Sequence, residues 1–125
     1  MFETGLQYVR ADFHLHTCKD KEFVYSGEQN SFVNEYVSAL KNANINVGVI
    51  TNHNKFDREE YKAIRKAAKK QDIFILPGVE LTIKEGANGI HTLIVFNPDE
   101  WLEDGNNHIQ TFLTNFCELH KKENV

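Results

Sequence analysis

The sequence predicts an α/β fold with mostly parallel strands and flanking helices, on three observations. Val47-Gly48-Val49-Ile50-Thr51 and Ile73-Phe74-Ile75-Leu76 are nearly continuous apolar runs, as strands covered on both faces require. Segments of helical periodicity, residues 32–43 and 57–70, alternate with them. Histidines and carboxylates stand at the ends of these runs, where α/β sheets collect functional groups.

Residues 1–7 read as a lead-in, and Tyr8 to His16 as the first strand. Side chains alternate along a strand, so Asp12, His14 and His16 are expected on one face. Ala11, Phe13 and Leu15 take the other, which is apolar enough to be buried. Residues 17–30 are polar and loop-like. Ser31 is the expected cap of a helix over 32–43, with Phe32, Val33, Tyr36, Val37 and Leu40 as its buried stripe. The strand at 47–51 ends in Thr51-Asn52-His53-Asn54. Asp57 opens a helix that runs to about Lys70, with Glu60 placed for a capping box and Tyr61, Ile64, Ala67 and Ala68 facing inward.

The run 73–76 is a third strand, ended by Pro77-Gly78. Residues 79–83 alternate as a separate strand, and 84–89 form a turn. His91 to Phe96 is a further strand. An antiparallel hairpin of the last two would bring His91 to the same end of the sheet as His16 and His53. A helix over roughly 106–121 carries Ile109, Phe112, Leu113, Phe116 and Leu119 at helical spacing. No repeat or linker divides the chain, so residues 1–125 are read as one domain of about five strands.

Composition narrows the function. With 41% hydrophobic and 26% charged residues, a disordered chain is excluded. A net charge of −4 gives no overall attraction to nucleic acid, although a local basic patch could still bind phosphate. No apolar run approaches the roughly 20 residues of a membrane span, and no signal-peptide core is present. Cys18 and Cys117 are far apart and belong to no CxxC pair, which fits a reducing cytoplasm.

Imidazole and carboxylate ligands together suit Zn²⁺, Mn²⁺ or Fe²⁺. A carboxylate can bridge two ions, and two ions can steady both oxygens of a displacement at phosphorus. His14, His16, His53, Glu80 and His91 supply the required types from separate strand ends. Each alone has a plainer reading: a half-exposed pair, a turn residue, a lysine partner or a strand histidine. Their common placement favours a single site. His108 and His120, on the last helix, read as surface residues. Lys19, Lys21, Lys55 and Lys84 read as solvated, with contact to a substrate phosphate as the alternative.

Asp12-Phe13-His14-Leu15-His16-Thr17 resembles the DxHxHT opening of the polymerase and histidinol phosphatase (PHP) domains. Thr51-Asn52-His53-Asn54 resembles their second motif, Pro77-Gly78-Val79-Glu80 the following G-x-E segment, and His91 the next histidine ligand. The motifs keep the family's order over about residues 8–96, most like PHP segments that lead larger ATPase-containing proteins. The resemblance implies a distorted (β/α)7 barrel, here incomplete, with a di- or trinuclear site at its C-terminal face. It implies hydrolysis of phosphate esters, whether small molecules or nucleic-acid ends. His14, His16, His53, Glu80 and His91 would bind metal. Asp20 or Glu22 is the candidate for a further ligand from the loop after the first motif, a solvated loop charge being the plainer reading of each. Asp12 would orient a ligand histidine or the strand end, and Asn52 would support the ligands from behind.

Two departures stand out. Asn52 replaces the family's usual aspartate, and nothing after His91 resembles the later motifs. The chain is therefore expected to be a truncated or short form that self-associates or packs on a missing segment. A non-catalytic metal-binding or structural module derived from a PHP domain is the alternative. A small doubly wound α/β domain with incidental histidines is the third reading.

Overall fold

The structure, a computed structural model, describes residues 8–83 and 89–123, with side chains through 117. Its strands are β1 (Ala11–Leu15), β2 (Val47–His53), β3 (Phe74–Ile83) and β4 (Ile90–Val95). Its helices are α1 (Phe32–Asn42), α2 (Arg58–Lys69), the four-residue α3 (Pro98–Trp101) and α4 (His108–Glu123). The strands form one sheet in the order β1-β2-β3-β4. β1, β2 and β3 run parallel, and β4 returns antiparallel to β3. No described helix is long and apolar enough to cross a membrane.

Sequential parallel strands joined through helices keep both crossovers on one side of the sheet. Helices α1 and α2 pack against each other there, so the sheet is wound in a single sense rather than doubly. The helix-facing rows Ile50 and Ile75, Val79, Leu81 join Val37, Leu40, Tyr61, Ile64, Ala68, Ile109 and Leu113 in one core. The opposite face carries His53 and Glu80 at one end. Phe74, Leu93 and Val95, 39–51% exposed, lie on the same face.

Three local expectations change. Residues 74–83 are one strand, not two, so the described sheet has four strands rather than five. Pro77 is tolerated because its carbonyl, and hence its ring nitrogen, point toward the β4 side. The Phe96 N–H donates to that carbonyl (2.9 Å), and Pro77 forfeits only the return bond at the end of the ladder. Gly78 is required by close approach, since a Cβ there would stand 2.6 Å from the Ile94 carbonyl oxygen. Ser31 makes no side-chain cap; it ends a 3₁₀ turn, Gln29–Ser31, that leads into α1. Asp57 does cap α2, accepting from the Glu60 N–H at 2.8 Å. The Glu60 carboxylate turns instead to Thr17.

The first strand also departs from simple alternation. Asp12 pairs with Gly48 and Leu15 with Ile50, both on the same face of β2, with an irregularity between them. Two residues three apart on one face mark a β-bulge, which reverses the parity. Asp12 therefore lies on the helix side, opposite His14 and His16. Only Leu15 of the expected apolar row packs on the core, and Ala11 and Phe13 are exposed.

Candidate metal centre

The bulge aims His14 and His16 at the C-terminal end of β3. Register sets His53 directly across from Glu80, and the turn-back of β4 puts His91 on the same face. Four imidazoles consequently converge on one buried carboxylate. Nε2 of His14 and of His16 each lie 3.2 Å from Glu80 Oε2, and Nε2 of His53 lies 2.7 Å from the same oxygen. His91 Nδ1 stands 3.1 Å from Oε1. His53 and Glu80 are buried, while His14 and His91 form the open rim. The hairpin condition set for His91 is met.

Asp20 stands behind the histidines. Its carboxylate accepts from the backbone N–H of His53 (2.6 Å) and of Glu22 (2.9 Å), and faces His53 Nδ1 at 3.0 Å. His16 Nδ1 lies 3.8 Å away. Both inner imidazoles thus have Asp20 on the Nδ1 side and Glu80 on the Nε2 side, the arrangement by which a carboxylate orients a metal-ligating histidine. Glu22 is exposed, with Oε2 3.9 Å from His53 Nε2. His16, Asp20, Glu22 and His53 also bring donor atoms within 4.8 Å of one another. The sets His14–His16–Glu80 and His53–Glu80–His91 do the same.

The electrostatics match a cation site. Burial alone would raise the Glu80 carboxyl. The hydrogen bond to His14, the charge of His53 and the hydrogen bond to His16 outweigh it and hold the group below the ordinary range. Asp20 is likewise held low against its burial, chiefly by the backbone N–H groups of His53 and Glu22 and by the His53 ring. A neutral imidazole has one N–H, and a carboxylate only accepts. His53 cannot donate to Asp20 and Glu80 together while neutral. A protonated ring donates to both carboxylates, as the charge that holds Glu80 low requires. A neutral ring with Nδ1–H on Asp20 leaves its Nε2 lone pair against Glu80 Oε2, which a cation in place of the proton would relieve. Thr51 Oγ1 is fully buried without a hydrogen-bond partner; it lies two residues before His53 on the same strand face. The donor set therefore fits a divalent ion bound by imidazole and carboxylate.

Of the two parts expected for Asp12, the structure shows the one at the strand backbone, and Asn52 acts through Thr17. Asp12 Oδ1 accepts from the His14 backbone N–H (2.9 Å), bracing the bulge and touching no imidazole. Asn52 points to the helix side, where Oδ1 accepts from the Thr17 N–H (2.9 Å) and Nδ2 donates to Thr17 Oγ1 (2.8 Å). Its lack of charge is not felt by any ligand through direct contact. Cys18 joins none of the clusters, and burial raises its thiol. Lys19, Lys21 and Lys55 are exposed, as is His108; Lys84 lies outside the described residues, and the side chain of His120 lies beyond those described. Sequence reasoning named Thr17 in the first motif, Tyr36 in the α1 stripe and Glu60 as a capping residue, but gave none of them a part behind the histidines. Tyr36 donates to the His16 carbonyl (2.9 Å), and Thr17 joins Asn52 to Glu60. Each meets a partner 20 to 43 residues away, a separation that no local pattern encodes.

Comparison with protein-family models and with curated proteins finds no match for this chain.

Proposed function

We propose that this chain is a PHP-type, metal-dependent phosphoesterase domain, or the N-terminal portion of one. The observation that carries the reading is the convergence of His14, His16, His53 and His91 on Glu80, from residues that follow the family's motif order. Zn²⁺, Mn²⁺ or Fe²⁺ would be held by these five residues, two ions or more being accommodated through Glu80 and the Asp20–Glu22 loop. A bound divalent ion supplies Lewis acidity, making water nucleophilic near neutral pH and offsetting charge on phosphoryl oxygens.

The chain's own residues do the rest. Asp20 orients the inner imidazoles from their Nδ1 side, and the open rim of His14 and His91 admits a phosphate ester, small or at a nucleic-acid end. Lys19, Lys21 and Lys55 are exposed and read as solvated, contact with the substrate phosphate being the alternative. The free thiols of Cys18 and Cys117 accord with a reducing cytoplasm. The same proposal includes a covering for the bare sheet face of Phe74, Leu93 and Val95, by a second copy or by further barrel strands. Light scattering after size-exclusion chromatography tests this, and a clean monomer at high concentration removes self-association.

The non-catalytic module is the second reading. It is favoured by the fact that, among the described residues, the donor clusters draw on nothing after His91. One experiment divides the two. Bound metal is measured by elemental analysis, and a chromogenic phosphomonoester and phosphodiester are assayed with Mn²⁺ or Zn²⁺, for wild type and His14→Ala together. Metal with turnover lost in the variant supports the enzyme. Metal without turnover supports the module. Absence of bound metal sinks the enzyme and leaves the structural form of the module.

A further inference from the structure

Behind the histidines runs a buried chain of hydrogen bonds whose direction is dictated at both ends. The Thr17 N–H can only donate, so Asn52 must present its oxygen there, and its amide nitrogen then faces Thr17 Oγ1. The single hydroxyl proton of Thr17 is left for Glu60, whose carboxylate only accepts. Thr17 and Asn52 are fully buried, and Glu60 is partly covered at the start of α2. Thr17 follows His16 directly, and its carbonyl accepts from the Asp20 N–H (2.9 Å), closing the turn that delivers Asp20 to His53.

We propose that Asn52, Thr17 and Glu60 are positioning residues for the metal centre, with Asn52 and Glu60 matched in polarity across the Thr17 hydroxyl. The match explains an asparagine at this position. A carboxylate at residue 52 would compete with Glu60 for one hydroxyl proton, leaving one anion against a lone pair. The turn from His16 to Asp20 would then lose its anchor. A carboxamide at residue 60 is tolerated, because its oxygen still accepts from Thr17. With a carboxylate at 52 it turns its nitrogen instead, and the two bonds at the Thr17 hydroxyl reverse, amide to Thr17 Oγ1 and hydroxyl to the new carboxylate, while the Thr17 N–H still donates to residue 52.

The consequence for metal affinity rests on the metal-centre reading above, whereas the polarity match does not. The test uses four proteins: wild type, Asn52→Asp, Glu60→Gln and the double variant. Two readouts are taken at a temperature where all four are folded by circular dichroism: the ring-proton NMR resonances of His16 and His53 without metal, and Co²⁺ affinity from its visible absorption. Asn52→Asp is expected to shift both rings and weaken Co²⁺ about 10–100-fold, the usual effect of disturbing groups behind metal ligands. Glu60→Gln should stay within about threefold of wild type, and the double variant should recover most of the loss of Asn52→Asp. Ring resonances unmoved in Asn52→Asp overturn the proposal, as does a double variant no better than Asn52→Asp. If Asn52→Asp fails to fold at any temperature, a double variant that folds with wild-type resonances still supports the match, and one that also fails overturns it. Wild type that binds no Co²⁺ sinks the metal reading, and the ring resonances then decide the network by themselves.

Discussion

Asp20→Asn removes one charge and changes one oxygen for an N–H₂ group in a buried, fully engaged site. Oδ1 of Asp20 accepts from the Glu22 N–H, and Oδ2 from the His53 N–H, with His53 Nδ1 facing both oxygens. An amide has one oxygen, so a backbone donor must face another donor whichever way it turns. A lost charge-assisted hydrogen bond costs about 1.5–3 kcal/mol, and a buried donor left unmatched about 1–3 kcal/mol. The two overlap, so about 2–4 kcal/mol is expected in all. At roughly 3–5 °C per kcal/mol for a domain of this size, the midpoint of metal-free thermal unfolding should fall by roughly 6–20 °C.

The pH dependence gives a second check on the same variant. The folded-state value of Asp20 lies below its ordinary 3.8, so its contribution is complete above that pH and is lost as pH falls through the lower folded value. The gap between wild type and variant should be full at neutral pH and narrow below about pH 3.8. A variant melting within about 2 °C of wild type at neutral pH, or a gap that widens in acid, refutes the assigned role of Asp20.

Three further outcomes follow from the core. Tyr61→Phe keeps the ring but loses the bond to the Ile75 carbonyl (3.0 Å), costing about 1–2 kcal/mol by denaturant unfolding. Burial, ahead of the charge of Asp99, pushes the Tyr61 phenol up to about 12. Its stabilisation is therefore present below the ordinary value of 10 and lost between about 10 and 12, and the variant should lose stability less steeply there. Gly78→Ala drives a methyl against the Ile94 carbonyl oxygen, a backbone atom that cannot swing aside, and should lower the yield of folded protein or its midpoint more than Tyr61→Phe. Asp57→Ala removes the cap of α2 and should cost about 0.5–2 kcal/mol, read as a shift in denaturant midpoint without a change in slope.

The sequence by itself determined the alternation of strands and helices, the inward stripes of α1 and α2, the Asp57 cap and the residue types of the site. These are local: a period of two or 3.6 and a cap three residues from its partner can be read along the chain. His14, His16, His53, Glu80 and His91 were legible because residue type and position at strand ends are also local facts. Tertiary structure decided the rest. Whether Pro77 breaks a strand depended on which neighbour its missing N–H would have faced, and that neighbour is β4. Whether Asp12 shares a face with His14 depended on a bulge set by pairing with β2, which flips parity without leaving a mark in β1. The working partners of Asp20 and Glu60 lie 33 and 43 residues away, so only folding showed one behind His53 and the other, through Thr17, behind His16. Periodicity reports which side of an element is apolar; it carries no information on which distant polar group will occupy the space beyond it.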